Sequence, residues 1–170
     1  MRFVPYVYDA GGQRVDVDIV PMSQADAERT DAEPLWQSSW TSEFLQAERL
    51  KRYAVKRGEE LIALGAYEVH KDALVVYIIY MESQPQSNPT IAAERRKYSG
   101  IGRLLISFGI KLSVDNGFGG DVVLRAKTPE LEKHYVMDFG AVKLPTFDAA
   151  APRYIIADEA AKNIFFSYLE

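Results

Sequence analysis

The stretch that most constrains this chain is Leu74 to Met81, Leu-Val-Val-Tyr-Ile-Ile-Tyr-Met, which with Ala73 ahead of it makes up the longest unbroken apolar run. Eight residues dense in β-branched and aromatic side chains predict a strand. A strand apolar on both faces belongs in the middle of a sheet that is covered on both sides. The run is also far shorter than the roughly 20 residues a membrane helix needs. Just upstream, Tyr53 to Arg57 and Leu61 to Val69 read as strands and His70-Lys71-Asp72-Ala73 as a turn, so an antiparallel meander leads into the central strand.

The rest of the chain supplies the covering layers. Ala10-Gly11-Gly12-Gln13 reads as a tight turn between two short strands, the second running from Arg14 to Val20. Ser23 followed by Asp26 is a helix-start signal, and residues 24 to 33 read as a helix closed by Pro34. A second helical segment is expected around Trp36, Trp40, Phe44 and Leu45. Residues 83 to 93 form a polar, proline-marked loop. Ile101, Leu104, Leu105, Phe108 and Leu112 then recur at helical spacing up to a stop near Asn116-Gly117. Asp121 to Ala126 is a strand. Thr128 caps the next helix, with Pro129 in its first position and a stop near Gly140. Arg153 to Ala157 is a strand and Glu159 to Leu169 an amphipathic helix. An antiparallel block followed by strand–helix–strand–helix–strand predicts an α/β (α+β) chain, residues 1–170 forming one domain around one mixed sheet.

Composition removes several kinds of chemistry. The 170 residues include no cysteine, so disulfides, thiolate zinc sites and a cysteine nucleophile are excluded. Two histidines, His70 and His134, are too few for a histidine-only metal cluster, and no metal is expected. The net charge of −4 argues against nucleic acid as a partner and favours a cationic acceptor over an anionic one. Residues 1 to 9 lack the apolar core and cleavage site of a signal peptide, which predicts a cytoplasmic protein without membrane attachment.

The segment between the central strand and the 101–116 helix carries the chemistry. Lys97-Tyr98-Ser99-Gly100-Ile101-Gly102-Arg103 places two glycines at a helix start, where backbone N–H groups lack intrahelical partners and carry partial positive charge. Arg95, Arg96, Lys97 and Arg103 add cations at the helix end where the helix dipole disfavours them, so a bound pyrophosphate is a natural reason for the cluster. A nucleoside-triphosphate loop would end Gly-Lys-Ser or Gly-Lys-Thr, and a dinucleotide fingerprint needs a third glycine. Both are absent. Gly-x-Gly alone is equally compatible with a plain turn.

These residues resemble the coenzyme-A loop of the GNAT acetyltransferase superfamily, which reads Arg or Gln, two residues, Gly, one residue, then Gly or Ala. Lys97 stands where Arg or Gln is usual. Leu131 to Ala141 is similar to the family's late helix, with an aromatic pair ahead of a Gly and an apolar residue, and Pro152 to Ala161 resembles the ending of bacterial members. The resemblance spans residues 50 to 158 in order. It implies a twisted, mostly antiparallel sheet of about seven strands with acetyl-CoA as cosubstrate, and direct acetyl transfer to an amine-bearing small molecule or protein by a monomer or homodimer. It also implies that the backbone around Ile79, Tyr80 and Met81 holds the pantetheine arm and polarises the thioester, while Arg96 to Arg103 cradle the pyrophosphate. Thr128 stands near a position that contacts that arm in the family, and it also suits capping its own helix.

Direct transfer needs a neutral amine and benefits from protonation of the leaving thiolate. Tyr135 is the candidate acid, although the family often places that tyrosine four residues before the glycine. Here Val136 holds that place, and Tyr135 is equally readable as a packing residue. Glu82 and Glu68 are the candidate bases, acting through water, or else are surface charges. Trp36 and Trp40 read first as core and second as a lid over the acceptor. His70 reads as solvated, and His134 as cover for the core. A GNAT-shaped module that binds acyl-CoA or a protein partner without turnover is the alternative function.

Overall fold

A computed structural model describes residues 1–92, 95–126, 128–145 and 152–170. Ala93, the end of the expected 83–93 loop, and Glu94 lie outside the described residues. The strands are β1 (Tyr6–Asp9), β2 (Arg14–Asp16), β3 (Asp18–Pro21), β4 (Lys51–Arg57), β5 (Glu60–His70), β6 (Val75–Ser83), β7 (Tyr98–Ser99), β8 (Val122–Arg125), β9 (Val142–Lys143) and β10 (Arg153–Ile156). The helices are α1 (Gln24–Arg29), α2 (Ile101–Asp115), α3 (Pro129–Phe139) and α4 (Asp158–Phe166). Seven strands form a mixed sheet in the order β3-β4-β5-β6-β8-β10-β9, with β6 at its centre as its composition requires. A second, three-stranded sheet has the order β2-β1-β7.

The chain forms two compact units, one of Met1–Arg2, Tyr67–Ile79 and Ile106–Glu170, the other of Phe3–Ala66 and Tyr80–Leu105. In the first, β6 pairs in parallel with β8 over three rungs, Val76–Val122, Tyr77–Val123 and Ile78–Leu124, and β6 continues past the last rung to Ser83. Gly109 lets α2 lie close on the strands, since a Cβ there would sit 3.1–3.2 Å from Tyr67 and Ile78. Thr128 caps α3 by accepting the Leu131 N–H at 3.1 Å, Pro129 follows as its first residue, and Gly140 ends it in the left-handed region at φ 68°.

In the second unit, Ser23 and Asp26 form the expected capping box, and Asp26 also pairs with Lys56 at 2.7 Å. Burial alone would push the Asp26 carboxyl up. The bonds from Lys56 and Ser23 outweigh it and hold the group below the usual carboxylate range. The Gly11–Gln13 turn is held by Asp9, whose Oδ1 accepts the N–H groups of Gly11 and Gln13 at 2.9 and 3.0 Å.

Four expectations change. The helix over 24 to 33 stops at Arg29, where the Thr30 hydroxyl turns back to donate to the Ala27 carbonyl. Residues 36 to 45 form successive turns rather than a helix, because Ser39, Thr41 and Ser42 engage local side chains and backbone instead. The strand read from Arg14 to Val20 breaks at Val17, whose N–H bonds the Pro5 carbonyl, and its halves join different sheets. His70 closes β5 rather than sitting in a turn.

Gly140 offers a direct test of the α3 terminus. A Cβ there would lie 2.9 Å from the Ala160 Cβ, on a backbone that already disfavours L side chains. Gly140→Ala is expected to cost roughly 2–4 kcal/mol of stability, read as a lowered urea midpoint at unchanged slope.

Candidate active site

The glycine loop is built by three elements of the second unit. Tyr98 and Ser99 pair antiparallel with β1, with Tyr8 opposite Ser99 and Asp9 opposite Tyr98. Gly100 then turns the chain at φ 79°, a left-handed conformation that suits glycine, and α2 begins at Ile101. Gly102 follows helical backbone, and a Cβ there would meet open space. Arg96 and Gly102 are exposed, Arg103 and Ser99 half-buried, and Ile101 buried.

The side chains of Lys97 and Tyr98 meet on one carboxylate. Lys97 Nζ donates to Glu60 Oε2 at 2.6 Å and the Tyr98 hydroxyl donates to Glu60 Oε1 at 2.7 Å. Gln84 Nε2 adds a third donor at 3.3 Å. Burial raises the Glu60 carboxyl, but these three bonds outweigh it and bring it below its ordinary range. The bond to Glu60 in turn raises the Lys97 ammonium. The segment before the loop is tied by the same neighbourhood. Gln84 donates to the Leu61 carbonyl, Ser87 donates to Gln84, and the Tyr98 N–H reaches Ser87 Oγ at 3.0 Å. A cavity of about 320 Å³ lies beside Glu60 and Gln84, with Arg29, Glu33 and Trp36 in its walls.

Glu82 is 6% exposed and fully engaged. Its Oε2 accepts the Gln37 N–H at 2.7 Å, its Oε1 accepts the Trp40 indole N–H at 3.1 Å, and the Ser38 N–H also bonds it. Burial pushes its carboxyl up, and the donated N–H groups offset this only in part. Trp40 is wholly buried and stacks on Tyr80 at 5.8 Å, while the Tyr80 hydroxyl bonds Ser38 at 2.6 Å. Trp36, half-buried, lines the cavity instead. Met81 is half-buried on the same strand.

The first unit holds Glu68, Ile79, Thr128 and Tyr135. Glu68 Oε1 meets His70 Nε2 at 3.0 Å, the His70 ring packs on Tyr77 at 4.3 Å, and Arg153 donates to the Tyr77 hydroxyl at 3.2 Å. Ile79, half-buried, is the first β6 residue past the β8 ladder. Tyr135 lies in the last half of α3, 6% exposed, with the Phe139 ring 6.4 Å away. Burial raises its phenol above the ordinary value, so it carries its proton at neutral pH. His134 is exposed and bonds Asp138. Among the described residues, no helix is long and apolar enough to cross a membrane, and no group of three or more His, Cys, Asp or Glu could hold a metal.

No protein-family model and no curated protein sequence matches the chain. Solved structures do. The GNAT domain of S. lividans PAT superposes with a TM-score of 0.60 at 14% identity, covering 89% of this chain and 95% of that one. The chain has the GNAT acetyltransferase fold. A Bacillus subtilis acetyltransferase in complex with CoA gives 0.57 at 13% identity, covering 84% and 99%. The ribosomal-protein-S18-alanine N-acetyltransferase from Escherichia coli gives 0.56 at 16%, covering 84% and 95%. The seven-stranded GNAT sheet implied by the glycine loop and the late helix is therefore present.

Glu60 and the pairing of β1 with Tyr98 and Ser99 are the parts of this region that sequence reasoning missed. Glu60 follows Gly58-Glu59 at a turn, where a solvated charge is the ordinary reading. Its role predicts a specific pH dependence. A carboxyl held below its unfolded value of about 4.3 stabilises the fold above that pH and loses the effect as pH falls through the folded value. Glu60→Gln is expected to cost about 1–2 kcal/mol at neutral pH. In urea unfolding, the gap from the wild type should close as pH is lowered toward 3; a gap independent of pH would place the stabilising interaction elsewhere.

Proposed function

We propose that this protein is an N-acetyltransferase that moves acetyl from acetyl-CoA directly to an amine. The observation that carries the reading is the left-handed Gly100 ahead of α2, on a GNAT sheet with an exposed Gly102 and flanking arginines. The N–H groups of the first α2 turn and Arg96 and Arg103 hold the pyrophosphate. Glu60 keeps Lys97 and Tyr98 in place, so they position the loop through that carboxylate. The β6 backbone at Ile79, Tyr80 and Met81 takes the pantetheine amides and polarises the thioester carbonyl. Thr128 caps α3 and keeps its hydroxyl hydrogen for the same arm.

In the reaction, the amine nitrogen forms a bond to the acetyl carbon and the carbon–sulfur bond breaks. Tyr135, protonated at neutral pH, gives its proton to the departing thiolate. Glu68, oriented by His70, takes the proton released by the amine through water. Glu68 fits the base better than Glu82, whose two oxygens already accept three N–H groups. Glu82 instead fixes residues 37 to 40. The acceptor is a cationic amine, on a small molecule or a protein, in keeping with the acidic net charge, and the protein works in the cytoplasm as a monomer or homodimer.

Thiol release from acetyl-CoA across a panel of amines tests the reading, together with thermal unfolding in saturating acetyl-CoA. Ligand at 100 times its dissociation constant adds about 2.7 kcal/mol, a clear upward shift in Tm. Gly102→Val, which meets open space in the fold, should keep its Tm without ligand and lose most of that shift. No shift and no thiol release overturn the coenzyme reading. A shift without release under any amine leaves the non-catalytic acyl-CoA-binding module.

Tyr135→Phe separates chemistry from packing. No hydrogen bond to its hydroxyl is present among the described residues, so the phenylalanine variant should melt with the wild type. Turnover should fall about 10²-fold with coenzyme affinity unchanged. Full activity would move the acid to a bound water, since Tyr80 and Tyr98 already bond Ser38 and Glu60.

A further inference from the structure

The cavity of about 320 Å³ in the second unit lies between two stretches of chain that are each held by bonds of their own. After α1, the Asp31 N–H bonds the Glu28 carbonyl at 3.1 Å, and the Trp36 N–H returns to the Thr30 carbonyl at 3.3 Å. Beyond β6, the Gln84 N–H bonds the Ile62 carbonyl at 2.7 Å, the Ser87 N–H bonds the Gln84 carbonyl at 2.9 Å, and the Lys97 N–H bonds the Gln86 carbonyl at 2.9 Å. Both walls are therefore set by the fold, and the space between them is at the lower end of the size range of small-molecule sites.

Some polar groups in these walls are already engaged. The Gln84 amide bonds the Leu61 carbonyl, Glu60 and Ser87, and the Glu60 carboxylate accepts from Lys97, Tyr98 and Gln84. Arg29, Glu33 and Trp36 differ. Arg29 Nη1 donates to the Glu59 carbonyl at 3.0 Å. Among the described residues no other bond from its guanidinium is present, and none to the Glu33 carboxylate or from the Trp36 indole N–H. Arg29 and Glu33 stand four residues apart, a spacing at which opposite charges pair on a helix. α1 ends at Arg29, so that geometry is lost, and no ion pair joins the two among the described residues. A cation, an anion and an indole thus line one cavity with bonding capacity in hand, beside the buried Leu61 and Pro85.

We propose that this cavity binds a free amino acid with an apolar side chain. Its carboxylate is taken by Arg29, its ammonium by Glu33 and the Trp36 ring, and its side chain by Leu61 and Pro85. A ligand carrying both charges satisfies both walls at once, which an amine or a carboxylate alone does not. The site goes beyond the acetyl-transfer reading and uses none of the residues assigned to the coenzyme. Gln84 stands four residues beyond Tyr80, roughly 13 Å along an extended chain, so an amino acid held here does not present its nitrogen to a thioester at Tyr80.

Titration calorimetry without coenzyme tests the site, using leucine, methionine and phenylalanine together with the N-acetyl and the amide form of each. The wild type is expected to bind at least one free amino acid with a Kd of about 1 mM or tighter. Its N-acetyl form, which lacks the ammonium, and its amide form, which lacks the carboxylate, should each bind at least about tenfold more weakly. Glu33→Gln, a change at an exposed side chain, should lose the preference over the N-acetyl form and keep that over the amide. Arg29→Gln should do the reverse; it also removes the bond to Glu59, so its Tm is measured alongside. Trp36→Leu, which touches neither charge, should weaken the free amino acid by several-fold. Three amino acids that fail to bind, free forms that bind no better than their derivatives, or folded Glu33→Gln and Trp36→Leu variants that bind as the wild type does each overturn the site. None of these outcomes bears on the coenzyme reading, which acetyl-CoA binding tests by itself.

Discussion

A carboxylate and an amide buried at the end of the central apolar strand oblige the chain around them to supply partners. Leaving either group without a hydrogen bond would cost several kcal/mol, and more for the charge. Glu82 is satisfied by the Gln37, Ser38 and Trp40 N–H groups, which orders a segment with no regular secondary structure of its own. Gln84 is satisfied by the Leu61 carbonyl, Ser87 and Glu60, which orders the stretch leading to the glycine turn. The irregular parts of this unit are thus fixed by the end of a strand rather than by local propensity.

Glu60 extends the same logic to charge. Two of the groups nearest the helix start, the Lys97 ammonium and the Tyr98 hydroxyl, converge on its carboxylate. That neutralises one cation of a crowded set and fixes the backbone just ahead of Gly100. The two glycines then do different work. Gly100 is demanded by backbone conformation, whereas Gly102 is demanded by nothing in the fold itself.

The parts legible in the sequence are those set by local chemistry. β4, β5 and β6 lie within two residues of their expected limits because β-branched and aromatic runs have few other uses. α3 was readable from Thr128, Pro129 and Gly140, each filling the role its type suggests. Residues 36 to 45 were not readable, because the spacing of Trp36 and Trp40 mimics a helix while Trp40 is placed by a carboxylate some forty residues away. The break at Val17 was hidden because alternation runs through it unchanged. At the loop, the glycines announced themselves. Lys97 did not announce Glu60, since nothing local marks a carboxylate 37 residues upstream as its partner.

The two rungs between β1 and β7 join segments roughly ninety residues apart, and such pairing carries a loop-closure cost that local hairpins escape. During synthesis the β1–β2 hairpin emerges first and can close on its own turn. Its third strand is added by the ribosome roughly five to twenty seconds later at ordinary elongation rates. Until then β1 carries an open edge, and the polar Arg14, Asp16 and Asp9 side chains around it help keep that waiting edge from pairing with another chain.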